Sequence, residues 1–197
     1  MAAPAERVGA VILAAGEAKR FGSQKLLAPL DGQPLLQHVI DAAQRAAIDP
    51  IVLVLGADAD AIEDGVRIGR ARVVLNPEYA TGQASSLRAG LRALEGDAAI
   101  VLLGDQPLVT APLLDALIAR QRASGASAVV CAQRGRRSPP ALLHRDLWPE
   151  LDRLRGDVGA REVLAHRGDV EVVDVDEGSA RLDDVDTSID WERLHRR

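Results

Sequence analysis

Runs of Val, Ile, Leu and Ala without polar alternation, each followed by a stretch of helical period, set the tightest limit on what this chain can fold into. Val8–Ala14 (VGAVILA), Ile51–Leu55 (IVLVL), Arg72–Leu75 and Ala98–Leu103 (AAIVLL) read as strands, and residues 126–132 as a fifth. An apolar run with no polar face must be covered on both sides, as in a parallel sheet. Leu35, Leu36, Val39, Ile40, Ala43 and Ala47 recur at helical spacing, and helices are also predicted over 58–66, 85–94 and 111–123. Thr110 stands where it could cap the last of these, with Pro112 in the first turn. The strand–helix–strand rhythm, with right-handed crossovers, predicts an α/β fold: a three-layer sandwich around a mostly parallel sheet.

After residue 132 the rhythm changes. Residues 133–140 (QRGRRSPP) read as a basic, proline-containing loop, followed by short helices near 145–153 and 158–166 and a Val-rich strand at 170–175. A last helix follows, with Thr187 and Asp190 spaced as a capping box. No repeat or linker divides the 197 residues, so one domain over 1–197 is expected. Aromatics are only 2% of the chain, which leaves Ala, Val, Leu and Ile to build a core of flat helix-on-sheet layers. The net charge of −5 argues against a nucleic-acid or membrane footprint. A single cysteine, Cys131, excludes an internal disulfide and a Cys-based zinc site. No apolar run reaches the roughly 18 residues of a membrane span, and the first ten residues lack a signal-peptide core, so a cytoplasmic location is expected.

In open α/β sheets ligands sit outside the carboxyl ends of the strands. The first such end carries Leu13-Ala14-Ala15-Gly16, then Arg20, Gly22 and Lys25. Small residues there let backbone N–H groups approach phosphate oxygens, and Lys25 and Arg20 add positive charge for the same anion. The only two lysines of the chain, Lys19 and Lys25, both fall in this segment. It is neither a P-loop, whose Lys follows its second Gly directly, nor a G-x-G-x-x-G dinucleotide loop.

The strand end at Gly104-Asp105-Gln106-Pro107 places a carboxylate before a proline-stiffened turn. Magnesium takes one or two protein carboxylates together with phosphate oxygens and water, which makes Asp105 the first choice of metal ligand. A second acid should come from Asp183-Asp184-Val185-Asp186, with Asp186 the better choice and Asp184 the reserve; the two point the same way if a strand continues there.

Together these residues resemble the MobA-like NTP transferase family, within the Rossmann-like nucleotide-diphospho-sugar transferase fold. The opening L-A-x-G, basic-Gly and Lys pattern runs from Leu13 to Lys25. Further matches to the molybdenum cofactor cytidylyltransferases begin at Pro29, Gly82, Gly104, Gly156 and Asp184, in that order along residues 8–194. The resemblance implies a nucleotide-binding part over about 8–110 and an acceptor-binding part over about 111–197. It implies that Leu13, Ala14, Ala15 and Gly16 hold the nucleotide, Lys25 its phosphates, and Gly82, Ser85 and Ser86 the base or ribose, with Asp105 also among the nucleotide-binding residues. It places Mg2+ on Asp105 and Asp186, gives Lys25, Arg20 and Asp105 catalytic roles, and turns Asp157, Gly159 and Arg161 toward a pterin acceptor. Ala15, where guanylyl-transferring relatives carry Gly, favours CTP over GTP. The implied partners are an NTP, molybdopterin, and a molybdoenzyme receiving the product; other phosphorylated acceptors (a sugar 1-phosphate or phospholactate) and a non-catalytic accessory role are the alternatives. Ser138-Pro139-Pro140 stands where those relatives carry Gly-His-Pro or Gly-Asn-Pro, and Ala18, Phe21 and Ser188 are smaller departures.

Other residues are expected to serve the fold. His38 lies on an apolar helix pattern, and His144, His166 and His195 share no ligand spacing. Cys131 sits in an apolar strand as a small hydrophobe. Trp148 and Trp191 read as packing anchors, and Arg134, Arg136 and Arg137 as either a solvated loop or a phosphate contact.

Overall fold

The computed structural model describes residues 6–17, 21, 24–176, 178 and 180–195. Along the chain run β1 (Val8–Ala14), a small hairpin of β2 (Pro29–Leu30) and β3 (Gln33–Pro34), α1 (Leu35–Arg45), β4 (Ile51–Leu55), α2 (Ala59–Gly65), β5 (Arg72–Leu75), α3 (Gln83–Ala93) and β6 (Ala98–Leu103). They continue with α4 (Ala111–Ser124), β7 (Ala128–Gln133), β8 (Arg136–His144), α5 (Trp148–Leu151), α6 (Arg161–Leu164), β9 (Val170–Asp174) and α7 (Ser188–His195). Seven strands form one sheet in the order β5-β4-β1-β6-β8-β7-β9. The neighbours of β1 pair with it in parallel, Ala10 opposite Ile51 and Val8 opposite Ala98.

The period-two alternation of β1 feeds two separate cores. Val8, Ala10, Ile12 and Ala14 pack with Val39 and Ile40 of α1 and Leu114 and Leu117 of α4. Val11 faces the other way, onto Leu87 and Leu91 of α3 and Leu151 of α5. Both faces of the strand are therefore covered, which is why it carries no polar residue. At about 25 cal/mol per Å² of apolar surface removed from water, such double burial is the main stabilising contribution available to a chain poor in aromatics. No helix among the described residues is long and apolar enough to cross a membrane.

The C-terminal half departs from the sequence reading. Residues 133–140 are not a loop: Arg134 and Gly135, with φ of 52° and 74°, make a tight turn, and Arg136 already opens β8. A two-residue turn with both residues at positive φ matches the twist of a hairpin. This strand pairs antiparallel with β6 on one side and β7 on the other, so two prolines lie in an interior strand. A bulge resolves the conflict. The register on β7 jumps from Val130 opposite Ala141 to Cys131 opposite Ser138, while pairing with β6 spans only Ala141 to His144. Pro139 and Pro140 thus stand where neither neighbour asks for an N–H.

Smaller differences have simple causes. Ala47 lies beyond α1 and is exposed, because the helix ends at Arg45 with Ala46 as its cap. Thr110 caps α4 through its backbone only: its carbonyl accepts from Leu113 and Leu114, and its hydroxyl makes no capping bond. Residues 183–186 are not a strand. Thr187 and Asp190 do form the reciprocal cap: the Thr187 N–H donates to Asp190 Oδ2 at 2.9 Å, and the Asp190 N–H to Thr187 Oγ1 at 3.2 Å. From there α7 folds back onto the β2–β3 hairpin, where Trp191 packs with Leu30, Leu35 and Val185 and donates from Nε1 to the Pro29 carbonyl at 2.8 Å.

Candidate active site

The carboxyl ends of β1 and β6 open onto a cleft of about 530 Å³. Its floor is the chain leaving β1, Leu13 to Gly16, and its far wall is the segment Tyr79 to Gln83 that leads into α3. A Cβ added at Gly16 would meet nothing within 4 Å, so this backbone faces open space. Lys25 and Asp105 stand at one end of the cleft, and Asp157 also lines it.

Lys25 begins a single 3-10 turn, Lys25–Leu27, whose next residue, Leu26, is buried in the core. The Gln24 side chain accepts from the Leu26 N–H at 3.3 Å and closes the start of that turn. With Leu26 anchored inward, the Lys25 side chain is directed into the cleft. Its Nζ lies 2.6 Å from Asp105 Oδ2 and 3.1 Å from Asp186 Oδ1. Burial opposes the charge of Lys25, but the fields and hydrogen bonds of Asp105 and Asp186 outweigh it and raise its pKa above the usual lysine value.

Asp105 is held rigidly. The Gly104 N–H extends the β1–β6 ladder to the Leu13 carbonyl at 2.9 Å, and the Asp105 carbonyl accepts from Val185 at 3.0 Å. Its Oδ1 is buried and has no hydrogen-bond partner among the described residues. A buried carboxylate oxygen without a donor is costly unless a cation completes it, so the donor set fits a divalent ion. Asp184, the reserve ligand, is turned aside: its Oδ1 accepts from Gln106 Nε2 at 2.7 Å. Packing around that carboxyl group, reinforced by the charges of Asp105 and Asp186 and opposed by Gln106 and Lys25, pushes it up to about 6. Among the described residues no group of three or more His, Cys, Asp or Glu side chains gathers as a metal site, so a cation here would rely on carboxylates and its substrate.

The remaining sequence-expected residues divide. Ser86 lines the cleft, whereas Ser85 does not: its hydroxyl accepts from Asn76 Nδ2 at 2.9 Å and points at the carbonyls of Glu78 and Gly82. Gly82, at φ 109°, has no room for a side chain, since an added Cβ would meet the backbone of Gly156 at 2.3 Å. This contact, with the Ala84 N–H donating to the Gly156 carbonyl at 3.1 Å, seats the 156–160 loop on the start of α3. Gly159 packs against the Gln83 side chain, while Arg161 opens α6 as an exposed residue outside the cleft lining. Arg20, with Lys19, lies outside the described residues.

Sequence reasoning passed over Asn76, Tyr79, Gln83 and Gln106. Asn76 and Gln106 are buried amides, and a polar amide just past an apolar strand was the signal that could have found them. Of the residues set aside, His38 Nε2 lies 2.9 Å from the Leu30 carbonyl, and Cys131 is fully buried with its thiol pushed up to about 12 by desolvation. Trp148 packs in the α3 core beneath the Arg145 guanidinium, 4.3 Å from its ring centre.

The family model of the MobA-like NTP transferase domain matches residues 10–172, which span the cleft floor, Lys25, Asp105 and the 156–160 loop. The chain belongs to this family. It therefore carries an NTP transferase domain, on the Rossmann-like nucleotide-diphospho-sugar transferase fold. Rv0371c from Mycobacterium tuberculosis H37Rv is similar over 99% of this chain and 100% of its own, with 29% identity and a TM-score of 0.85. Its complex with manganese superposes with a TM-score of 0.81 at 28% identity, over 98% of this chain and 100% of that one. The bifunctional protein GlmU of Bacillus cereus (strain AH820) is 33% identical over 123 residues, 61% of this chain but only 27% of that protein.

Proposed function

We propose that this family member transfers CMP from CTP, with Mg2+, to the phosphate of a molybdopterin-type cofactor and releases pyrophosphate. The observation that carries the reading is the corner where the Lys25 ammonium stands between Asp105 and Asp186, beside a floor of small residues. Two carboxylates brought this close need positive charge, and the buried, unpartnered Asp105 Oδ1 leaves one acceptor open for it. In this reading Asp105 and Asp186 would hold the divalent ion, which would supply charge neutralisation for phosphate oxygens; the manganese complex of the mycobacterial relative supports a divalent ion, without naming its ligands.

The chain's own residues then have simple tasks. A phosphate monoester is already ionised near neutral pH, so no general base is required. An acceptor oxygen forms the new bond to the α-phosphorus as the bond to the bridging α–β oxygen breaks. Leu13 to Gly16 present backbone to the triphosphate, and Lys25, whose raised pKa keeps it charged, neutralises the departing pyrophosphate. Ser86 and the Tyr79–Gln83 wall enclose base and ribose, and Ala15 is the basis for choosing CTP over GTP.

The proposal is tested by following pyrophosphate release with each NTP, Mg2+ and a panel of acceptors. CTP with the pterin phosphate is expected to give the highest kcat/KM. A second reading is favoured by Ser138, whose hydroxyl lies 3.3 Å from Gln106 Nε2 at the start of a proline bulge, in the segment whose sequence departs from the Gly-His-Pro or Gly-Asn-Pro of the cytidylyltransferases. It assigns a different phosphorylated acceptor, and faster release with a sugar 1-phosphate or phospholactate would replace the first reading with it.

A further inference from the structure

From the reading of Asp105 and Asp186 as ion ligands, we infer that Gln106 is the positioning residue that holds the second carboxylate in place. Asp105 leaves a strand of the sheet, but Asp186 arrives on irregular chain with no ladder to fix it. Its carboxylate meets the Lys25 ammonium and its backbone N–H meets the Asp190 carboxylate, and the segment that leads to it is held by the side chain next to Asp105. Gln106 is fully buried, and its Nε2 lies 2.7 Å from Asp184 Oδ1, 3.2 Å from the Leu182 carbonyl and 3.3 Å from Ser138 Oγ.

The orientation of this amide is decided by chemistry. Turned over, its carbonyl oxygen would face a carbonyl and a carboxylate, neither of which can donate. Its two N–H bonds suit the two nearer acceptors, while Oε1 has no partner among the described residues and adds no competing pull. Leu182 and Asp184 lie on the irregular segment that leads to Asp186, and the Val185 N–H is tied to the Asp105 carbonyl at 3.0 Å. One buried amide and one strand end thus help to set the separation of the two carboxylates, alongside the Lys25 bridge and the Asp190 cap. Side chains that orient metal ligands from behind typically change metal affinity by about 10- to 100-fold when removed.

The test measures Mn2+ binding to the full chain by electron paramagnetic resonance, alongside the Mg2+ dependence of CTP turnover. Gln106→Met keeps the length of the side chain and removes both donors; Gln106→Asn keeps the amide but withdraws it by one methylene. Each folded variant is expected to bind Mn2+ about tenfold or more weakly. Half-saturating Mg2+ should rise in parallel, while KM for CTP at saturating Mg2+ stays within about threefold and kcat largely returns; a general loss of structure would move all three together. Wild-type Mn2+ affinity in a folded variant of Gln106, with Asp105→Asn impaired, overturns the positioning role and leaves the ion site standing. Wild-type affinity in Asp105→Asn overturns the ion site itself, and this inference with it.

Discussion

At one end of the cleft the surface is backbone. Leu13 to Gly16 continue directly from β1, and Gly82 lies against Gly156 so closely that no side chain fits between them. At the other end the surface is side chains gathered from afar: Lys25 meets Asp105 across 80 positions of sequence and Asp186 across 161. The first end follows from local chain path and small residues. The second has to be assembled, and it concentrates charge that no single segment could hold. Substitutions at the backbone end should therefore act through shape, and those at the charged end through electrostatics.

The largest test of that contrast is at the charged end. Asp105→Ala and Lys25→Ala should each remove about 2–4 kcal/mol of transition-state stabilisation, a loss of about 30- to 1000-fold in kcat/KM. Steady-state kinetics beside a denaturation midpoint checks it, and near-wild-type turnover in Asp105→Ala would break the comparison outright. At the backbone end the expected effect is on the fold. Gly82→Ala combines a φ of 109° with the Gly156 collision and should cost about 2–3 kcal/mol, whereas Gly156→Ala, at φ 72° with open space around it, should cost about 1 kcal/mol. Urea unfolding of the pair separates collision from conformation; equal losses would mean that the contact contributes nothing.

The smallest effect sharpens the electrostatic side. Asp184 is raised from an ordinary carboxylate to about 6, so between about pH 4 and 6 the folded metal-free protein binds more protons than the unfolded chain. Stability should fall as pH rises through that window and change no further from this group above it. Urea midpoints in EDTA should show the slope, and Asp184→Asn should flatten it.

The parallel half of the fold was legible because burial on both faces writes itself into β1, β4 and β6 as unbroken apolar runs. The strand β8 was not, because two arginines and two prolines resemble a solvated loop until the bulge shows how the prolines escape the ladder. Within the site, Lys25 and Asp105 stood out as a rare residue and an acid at strand ends. The sequence did not separate Ser85 from Ser86: Asn76 donates to both hydroxyls, but Ser86 lines the cleft while Ser85 points at the carbonyls of Glu78 and Gly82. Gln106 went unread because an amide is ordinary in a turn and unusual only once it is buried.

Sequence by itself determined the layers, the central strands and the reciprocal Thr187–Asp190 cap, since each depends on residues a few positions apart or on a periodic burden of apolar surface. Tertiary structure alone decided where Asp186 stands, which of the C-terminal acids meets Lys25, and how an antiparallel strand joins the sheet. Those outcomes turn on contacts across most of the chain, and the energy of a charge pair or a buried amide depends on distances that composition and spacing do not contain.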